Sequence, residues 1–188
     1  MKNRLFIALD IPEDVIEVII DLRNKIYGDY SRINWEPKEK LHITMKFLGD
    51  VDESSTTSII NAIEEIGRNF GPIKCSFNKF GIFYKDRMPR ILWLGTTYNE
   101  QLVKMYETIN DEMFKLGFEK EERKFKSHLT ILRVKEYNNN RNIEKFKDAV
   151  FDEINFVSDK LSLIKSELEP AGSVYTIVKK IIMKKSEE

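Results

Sequence analysis

The stretch Leu41-His42-Ile43-Thr44-Met45-Lys46-Phe47-Leu48 alternates along its length. Leu41, Ile43, Met45 and Phe47 fall on one side, and His42, Thr44, Lys46 and Leu48 on the other, which predicts a β-strand. Residues two apart on a strand share a face, so His42 and Thr44 project an imidazole and a hydroxyl side by side. A second stretch, Ser127 to Val134, contains His128-Leu129-Thr130-Ile131 and reads the same way. The chain has only two histidines, and each has a threonine two residues on. With threonine at about 4% of positions, that coincidence is on the order of 1 in 500 by composition.

The flanks of the two strands match as well. Before the first lies an apolar run, Leu5 to Leu9, which predicts a strand buried on both faces. Pro12, Glu13 and Asp14 then suit a helix start, Val15, Val18, Ile19, Leu22 and Ile26 mark one helical face, and Gly28 ends it. After the first strand come a helix from about Ser54 to Asn69 and a strand from Ile73 to Phe80. The pattern then restarts with a strand at Arg90 to Gly95, a helix carrying Leu102, Met105, Tyr106, Ile109, Met113 and Leu116, and the second histidine strand. A short helix over Ile143 to Val150 and strands at Leu161 to Leu168 and Val174 to Met183 complete the chain. Arg4 to Arg90 and His42 to His128 are both 86 positions. This offset predicts an internal duplication: one bilobal domain over 1–188, with repeats at about 1–86 and 87–188. Asn138-Asn139-Asn140-Arg141-Asn142 reads as an exposed loop and Lys184 to Glu188 as a frayed end.

Composition narrows the function. The 188 residues carry 31 Lys+Arg and 31 Asp+Glu, a formal net charge of zero, which argues against a surface that coats nucleic acid. A single cysteine, Cys75, excludes an internal disulfide and a cysteine-rich zinc cluster. The Leu5 to Leu9 run is too short for a signal peptide, and no stretch approaches the ~20 apolar residues of a membrane helix. A cytoplasmic, non-membrane protein is the expectation.

Two symmetric strands of this kind would bring two imidazoles and two hydroxyls to one cleft. Paired histidines serve general acid–base chemistry near neutral pH, and threonine hydroxyls hydrogen-bond to an anionic oxygen. Two histidines with no carboxylate cluster make a poor metal site, so neither metal nor cofactor is expected.

With these residues the chain resembles the two-histidine phosphoesterase superfamily, defined by paired His-x-Thr-x motifs. Within it the chain is similar to the RNA 2′,3′-cyclic phosphodiesterases, also called 2′-5′ RNA ligases. The likeness extends over Arg4 to Leu9, Leu41 to Gly49, Pro89 to Gly95 and His128 to Arg133, and over a tail containing Leu163, Ser166, Pro170, Gly172 and Tyr175. Two positions depart from the family pattern: Ser127 stands where proline commonly precedes the second histidine, and Phe83-Tyr84 where Phe-Pro is frequent.

The resemblance implies an α+β fold: two pseudo-two-fold lobes, each an antiparallel sheet with helices outside, and an active-site cleft between them. It implies metal-independent hydrolysis of 2′,3′-cyclic phosphate RNA ends to 2′-phosphates, with reversible 2′-5′ ligation, by a monomer. His42 would be the proton donor and His128 the acceptor; Thr44, Thr130 and Arg133 would hold the phosphate. Simple alternation puts Arg133 on the face opposite His128, so the strand must end or bulge before it. Phe47 has the same relation to His42; core packing and stacking on a base are both open. Lys120, Arg123, Lys124 and Lys126 would either steer RNA or form a solvated loop. Competing readings are a relative acting on 2′-5′ oligonucleotides or small cyclic nucleotides, and a non-catalytic RNA-binding module.

Overall fold

The computed structural model describes residues 2–28, 33–134, 142–170 and 172–184. The asparagine-rich loop and the C-terminal end fall mostly outside these residues. Eight strands are described: β1 (Lys2–Asp10), β2 (His42–Asp52), β3 (Ile73–Lys85), β4 (Met88–Thr96), β5 (His128–Arg133), β6 (Ile154–Ser158), β7 (Lys160–Glu169) and β8 (Gly172–Ile182). Three α-helices join them: α1 (Glu13–Tyr27), α2 (Thr56–Phe70) and α3 (Glu100–Lys115). β6 is absent from the sequence reading. The helix expected over Ile143 to Val150 is only a 3₁₀ turn, Ile143–Phe146.

The fold is α+β, and its strands form one sheet in the order β6-β3-β4-β5-β2-β1-β7-β8, with antiparallel pairing throughout. The antiparallel sheets expected for the two lobes are joined into one: four strands on each side meet at a seam between β2 and β5. That seam is thin, with Ile43 and Leu129 its one paired position among the described residues. Outward from it the order is β2-β1-β7-β8 on one side and β5-β4-β3-β6 on the other. Each side draws strands from both halves of the chain. The 86/87 boundary falls inside the two-residue β3–β4 turn, where Asp86 and Arg87 both take positive φ (52° and 61°), as a tight hairpin requires.

The helices pack on one face of the sheet. Val15 and Ile19 of α1, Ile59, Ile63 and Ile66 of α2, and Leu102, Met105, Ile109 and Met113 of α3 join Leu5, Ile7, Leu9, Ile43, Leu92, Leu94, Leu129, Leu161 and Leu163 in one core. Burial at about 25 cal/mol per Å2 of apolar surface makes this core the main source of stability. The α1 stripe runs Val15, Ile19, Arg23, Tyr27, whereas Val18 is half exposed. β1 is buried on both faces, as its sequence predicts: Leu5, Ile7 and Leu9 face the helices, while Phe6 and Ala8 form a second small cluster with Ile164 and Tyr175. That second cluster lies on the open face of the sheet, beside the histidines.

Candidate active site

The register of the seam fixes the site. Ile43 pairs with Leu129, so continuing the antiparallel register sets His42 across from Thr130 and Thr44 across from His128. The four side chains form a patch with the two imidazoles at opposite corners and the hydroxyls at the other two. Directly opposed residues of an antiparallel pair lie about 4.5–5.5 Å apart.

Two bulges then determine what joins the patch. Against β1, β2 shifts register between Ile7 (paired with Lys46) and Ala8 (paired with Thr44), which leaves Met45 as an extra residue. Against β4, β5 shifts between Leu92 (paired with Leu132) and Trp93 (paired with Thr130), which leaves Ile131 extra. Each bulge falls three residues after its histidine and reverses the alternation beyond it. Phe47 is thereby turned onto the histidine face and is 70% exposed, not packed in the core with Ile43 and Met45. Arg133 is brought round to the face of His128. Lys46 goes the other way and is buried under the sheet.

Lys46 Nζ donates to Asn110 Oδ1 at 2.6 Å and to the Glu119 carbonyl at 2.7 Å. Asn110 in turn accepts from the Glu121 N–H and donates to the Glu121 carbonyl. This network ties the segment leading into His128 to β2 and α3. The segment leading into β2 is held in a comparable way. Arg23 of α1 lies 4.9 Å over the Trp35 ring and donates to the Glu36 carbonyl. The Glu36 N–H donates to the carbonyl of the bulge residue Ile131, and the Glu36 carboxylate pairs with Arg133 Nε at 3.3 Å.

Both imidazoles are oriented from behind. His128 Nδ1 lies 2.6 Å from the Lys126 carbonyl, which can only accept, so this nitrogen carries the proton. The His42 ring also has a backbone hydrogen bond to Lys40. Phe6 and Tyr175 flank the His42 ring at 5.0 and 5.8 Å; Phe83 and Trp93 flank His128 at 5.2 and 6.2 Å. Burial, then the Arg133 charge, pushes His42 down to about 4, against the Lys40 bond that holds it up. His128 is lowered by burial and by Arg133, with the Lys126 bond opposing. Without a bound anion both rings are neutral near pH 7. Burial raises the Tyr175 phenol and Arg133 opposes that rise; Arg133 and Tyr175 line one cavity together with Glu36 and Lys40.

Sequence comparison matches residues 9–93 and 95–175 to the family described as LigT-like phosphoesterase. The chain belongs to the LigT-like phosphoesterase family. Its two matched stretches begin 86 positions apart, the spacing of the two histidines. An RNA 2′,3′-cyclic phosphodiesterase of Methanocaldococcus jannaschii is 38% identical over 94% of this chain and 98% of its own length. The one from Thermotoga maritima is 32% identical, over 93% and 92%. In fold, this LigT-like chain superposes on Escherichia coli LigT complexed with 3′-AMP at a TM-score of 0.76 and 20% identity, covering 98% and 100% of the two chains. A protein of Thermus thermophilus gives 0.79 at 22%, with the same coverage.

Of the basic residues ahead of the second LigT-like motif, Lys120 pairs with Asp111 and Arg123 with Glu121. Lys124 and Lys126 line a groove with Phe47, Thr44 and His128. Tyr175, Glu36, Phe83 and Trp93 went unassigned in the sequence reading, since nothing in their spacing links them to either histidine. Cys75 is buried, its thiol pushed up to about 11 by burial. Among the described residues no three of His, Cys, Asp and Glu come together as a metal site, and no helix is long and apolar enough to cross a membrane.

Proposed function

We propose that this chain hydrolyses RNA ends bearing a 2′,3′-cyclic phosphate, leaving a 2′-phosphate. The observation that carries this reading is the diagonal placement of two imidazoles across a patch that also holds two hydroxyls and faces a guanidinium. Water attacks phosphorus and gives its proton to His128, while His42 protonates the departing 3′-oxygen. His128 uses Nε2, because the Lys126 carbonyl holds the proton on its other nitrogen. A phosphodiester anion opposes the Arg133 charge and raises His42, so substrate binding itself favours the protonated donor.

Thr44 and Thr130 donate to the non-bridging oxygens, and Arg133, aligned by Glu36, binds the same anion. Phe47 offers its exposed ring to the base of the terminal nucleotide. With a 5′-hydroxyl in place of water, the same proton transfers form a 2′-5′ bond. The activity named for the relatives agrees with this substrate, and the two family matches 86 residues apart support a duplicated origin for the two motifs. The test is turnover of a short RNA with a 2′,3′-cyclic phosphate end, with EDTA present. The expected product is a 2′-phosphate; no turnover, or a 3′-phosphate, overturns the reading.

A further inference from the structure

His42 and His128 stand at opposite corners of the patch. In phosphoryl transfer the entering and leaving oxygens are roughly in line, so a phosphorus atom between the two rings is entered and left along that diagonal. Beyond His128 the diagonal leads to a cavity of about 430 Å3, lined by His128, its cross-strand partner Gly95, Trp93, Phe83, Phe125 and Lys126. The volume is within the range of small-ligand sites.

The floor of this cavity is the Trp93 indole, laid flat across the sheet by two glycines. A Cβ at Gly95 would come within 2.7 Å of the ring, and one at Gly81 would run into it. Gly81 and Gly95 flank Trp93 on β3 and β4, so any side chain at either would lift the indole off the sheet. Trp93 Nε1 and Ser127 Oγ, both on lining residues, are buried with no hydrogen-bond partner among the described residues. Lys79 and Lys126 sit at the rim, both exposed and in no ion pair among the described residues. On the His42 side Phe6, Ala8 and Ile164 are buried and Tyr175 packs on them; the cavity of about 500 Å3 beside Tyr175 is lined by Glu36, Lys40 and Arg133 and has no glycine-seated indole as its floor.

We propose that this cavity is a nucleoside subsite. It holds the base and ribose of the nucleoside whose 5′-oxygen enters or leaves at phosphorus, with the base stacked on Trp93 and the following phosphate near Lys79 and Lys126. The proposal rests on the two-histidine reading above. In synthesis, the 5′-hydroxyl gives its proton to His128, a P–O5′ bond forms, and the P–O3′ bond breaks as His42 protonates O3′. In cleavage of a 2′-5′ bond, the 3′-hydroxyl attacks, P–O5′ breaks and the freed nucleoside leaves through the cavity.

The experiment compares kcat/KM for 2′-5′-linked diadenosine monophosphate with kcat/KM for adenosine 2′,3′-cyclic phosphate. Trp93→Leu lowers the ratio about tenfold or more, and Lys79→Glu lowers the same ratio measured with a 2′-5′ trinucleotide that carries the following phosphate. Because Trp93→Leu can disturb the sheet, adenosine is also titrated into the wild-type protein. Stacking on Trp93 quenches tryptophan fluorescence, and Trp93→Phe abolishes the quench while Trp35 still emits. Unchanged ratios in a wild-type background that turns over both substrates overturn the subsite alone. Loss confined to substrates with a nucleotide upstream of the cyclic phosphate also overturns it, by assigning the cavity to that nucleotide. A wild-type protein that fails on the cyclic mononucleotide and on cyclic-phosphate RNA overturns the functional reading and this proposal with it.

Discussion

Ile43 of β2 and Leu129 of β5 are buried and paired at the seam between the two halves of the sheet. Every side chain proposed to touch the scissile phosphate is placed by that pairing. One residue to either side stand the two histidines and two threonines, and a bulge further along each strand adds Phe47 and Arg133. The hydrophobic core therefore sets the geometry of the chemistry: Ile43 and Leu129 point into it, and their neighbours point out of it.

Phe47 is 70% exposed, so its truncation should leave the fold intact. In Phe47→Ala the KM for a cyclic-phosphate dinucleotide should rise about tenfold, the worth of one stacked base. The melting temperature should move little. Steady-state kinetics and a thermal melt check both.

The two histidines give separate resonances for a proton NMR titration. His42 should titrate near 4. Arg133 depresses it, so Arg133→Gln should move the midpoint upward, and the kcat/KM profile should shift to higher pH with it. His128 should move in the same direction.

Stability should depend on the same group. His42 has a folded value of about 4 against an ordinary value of 6.5, so between these limits the unfolded chain binds more protons than the folded one. Its contribution is present above about pH 6.5 and is lost as pH falls towards 4. Urea midpoints should decline over that window, and His42→Gln should flatten the decline.

Lys46→Met removes the cation that holds the Glu119 carbonyl and Asn110. The cost should be about 1–3 kcal/mol, that of leaving buried polar groups without a partner. The freed segment lines the groove beside Phe47, so KM should rise more than kcat falls. Denaturant titration and kinetics on the same protein separate the two effects.

Much of this was legible in the sequence. The His-x-Thr pairs, the strands bearing them, the buried first strand and three helices follow from local periodicity and turn residues. The bulges do not. Uniform alternation put Phe47 with Ile43 and Met45 in the core and left Arg133 facing away from His128, because a bulge is set by the partner strand and not by the strand's own pattern. β6, only Ile154–Ser158, is too short to stand out, and its burial depends on pairing with β3. The pairings that put β4 beside β5 and β7 beside β1 are likewise long-range, so Phe83, Trp93 and Tyr175 could not be placed near a histidine beforehand.

The central claim is that His42 and His128 act as an acid–base pair across one phosphate. Its most direct test is single-turnover hydrolysis of a 2′,3′-cyclic-phosphate RNA by His42→Ala, His128→Ala and the double variant, each shown to be folded by circular dichroism. Each single variant should lose about 100- to 10,000-fold in rate, and the double variant should lose little more, since the two rings work as one unit. A folded single variant that retains activity within about tenfold of the wild type would contradict the account.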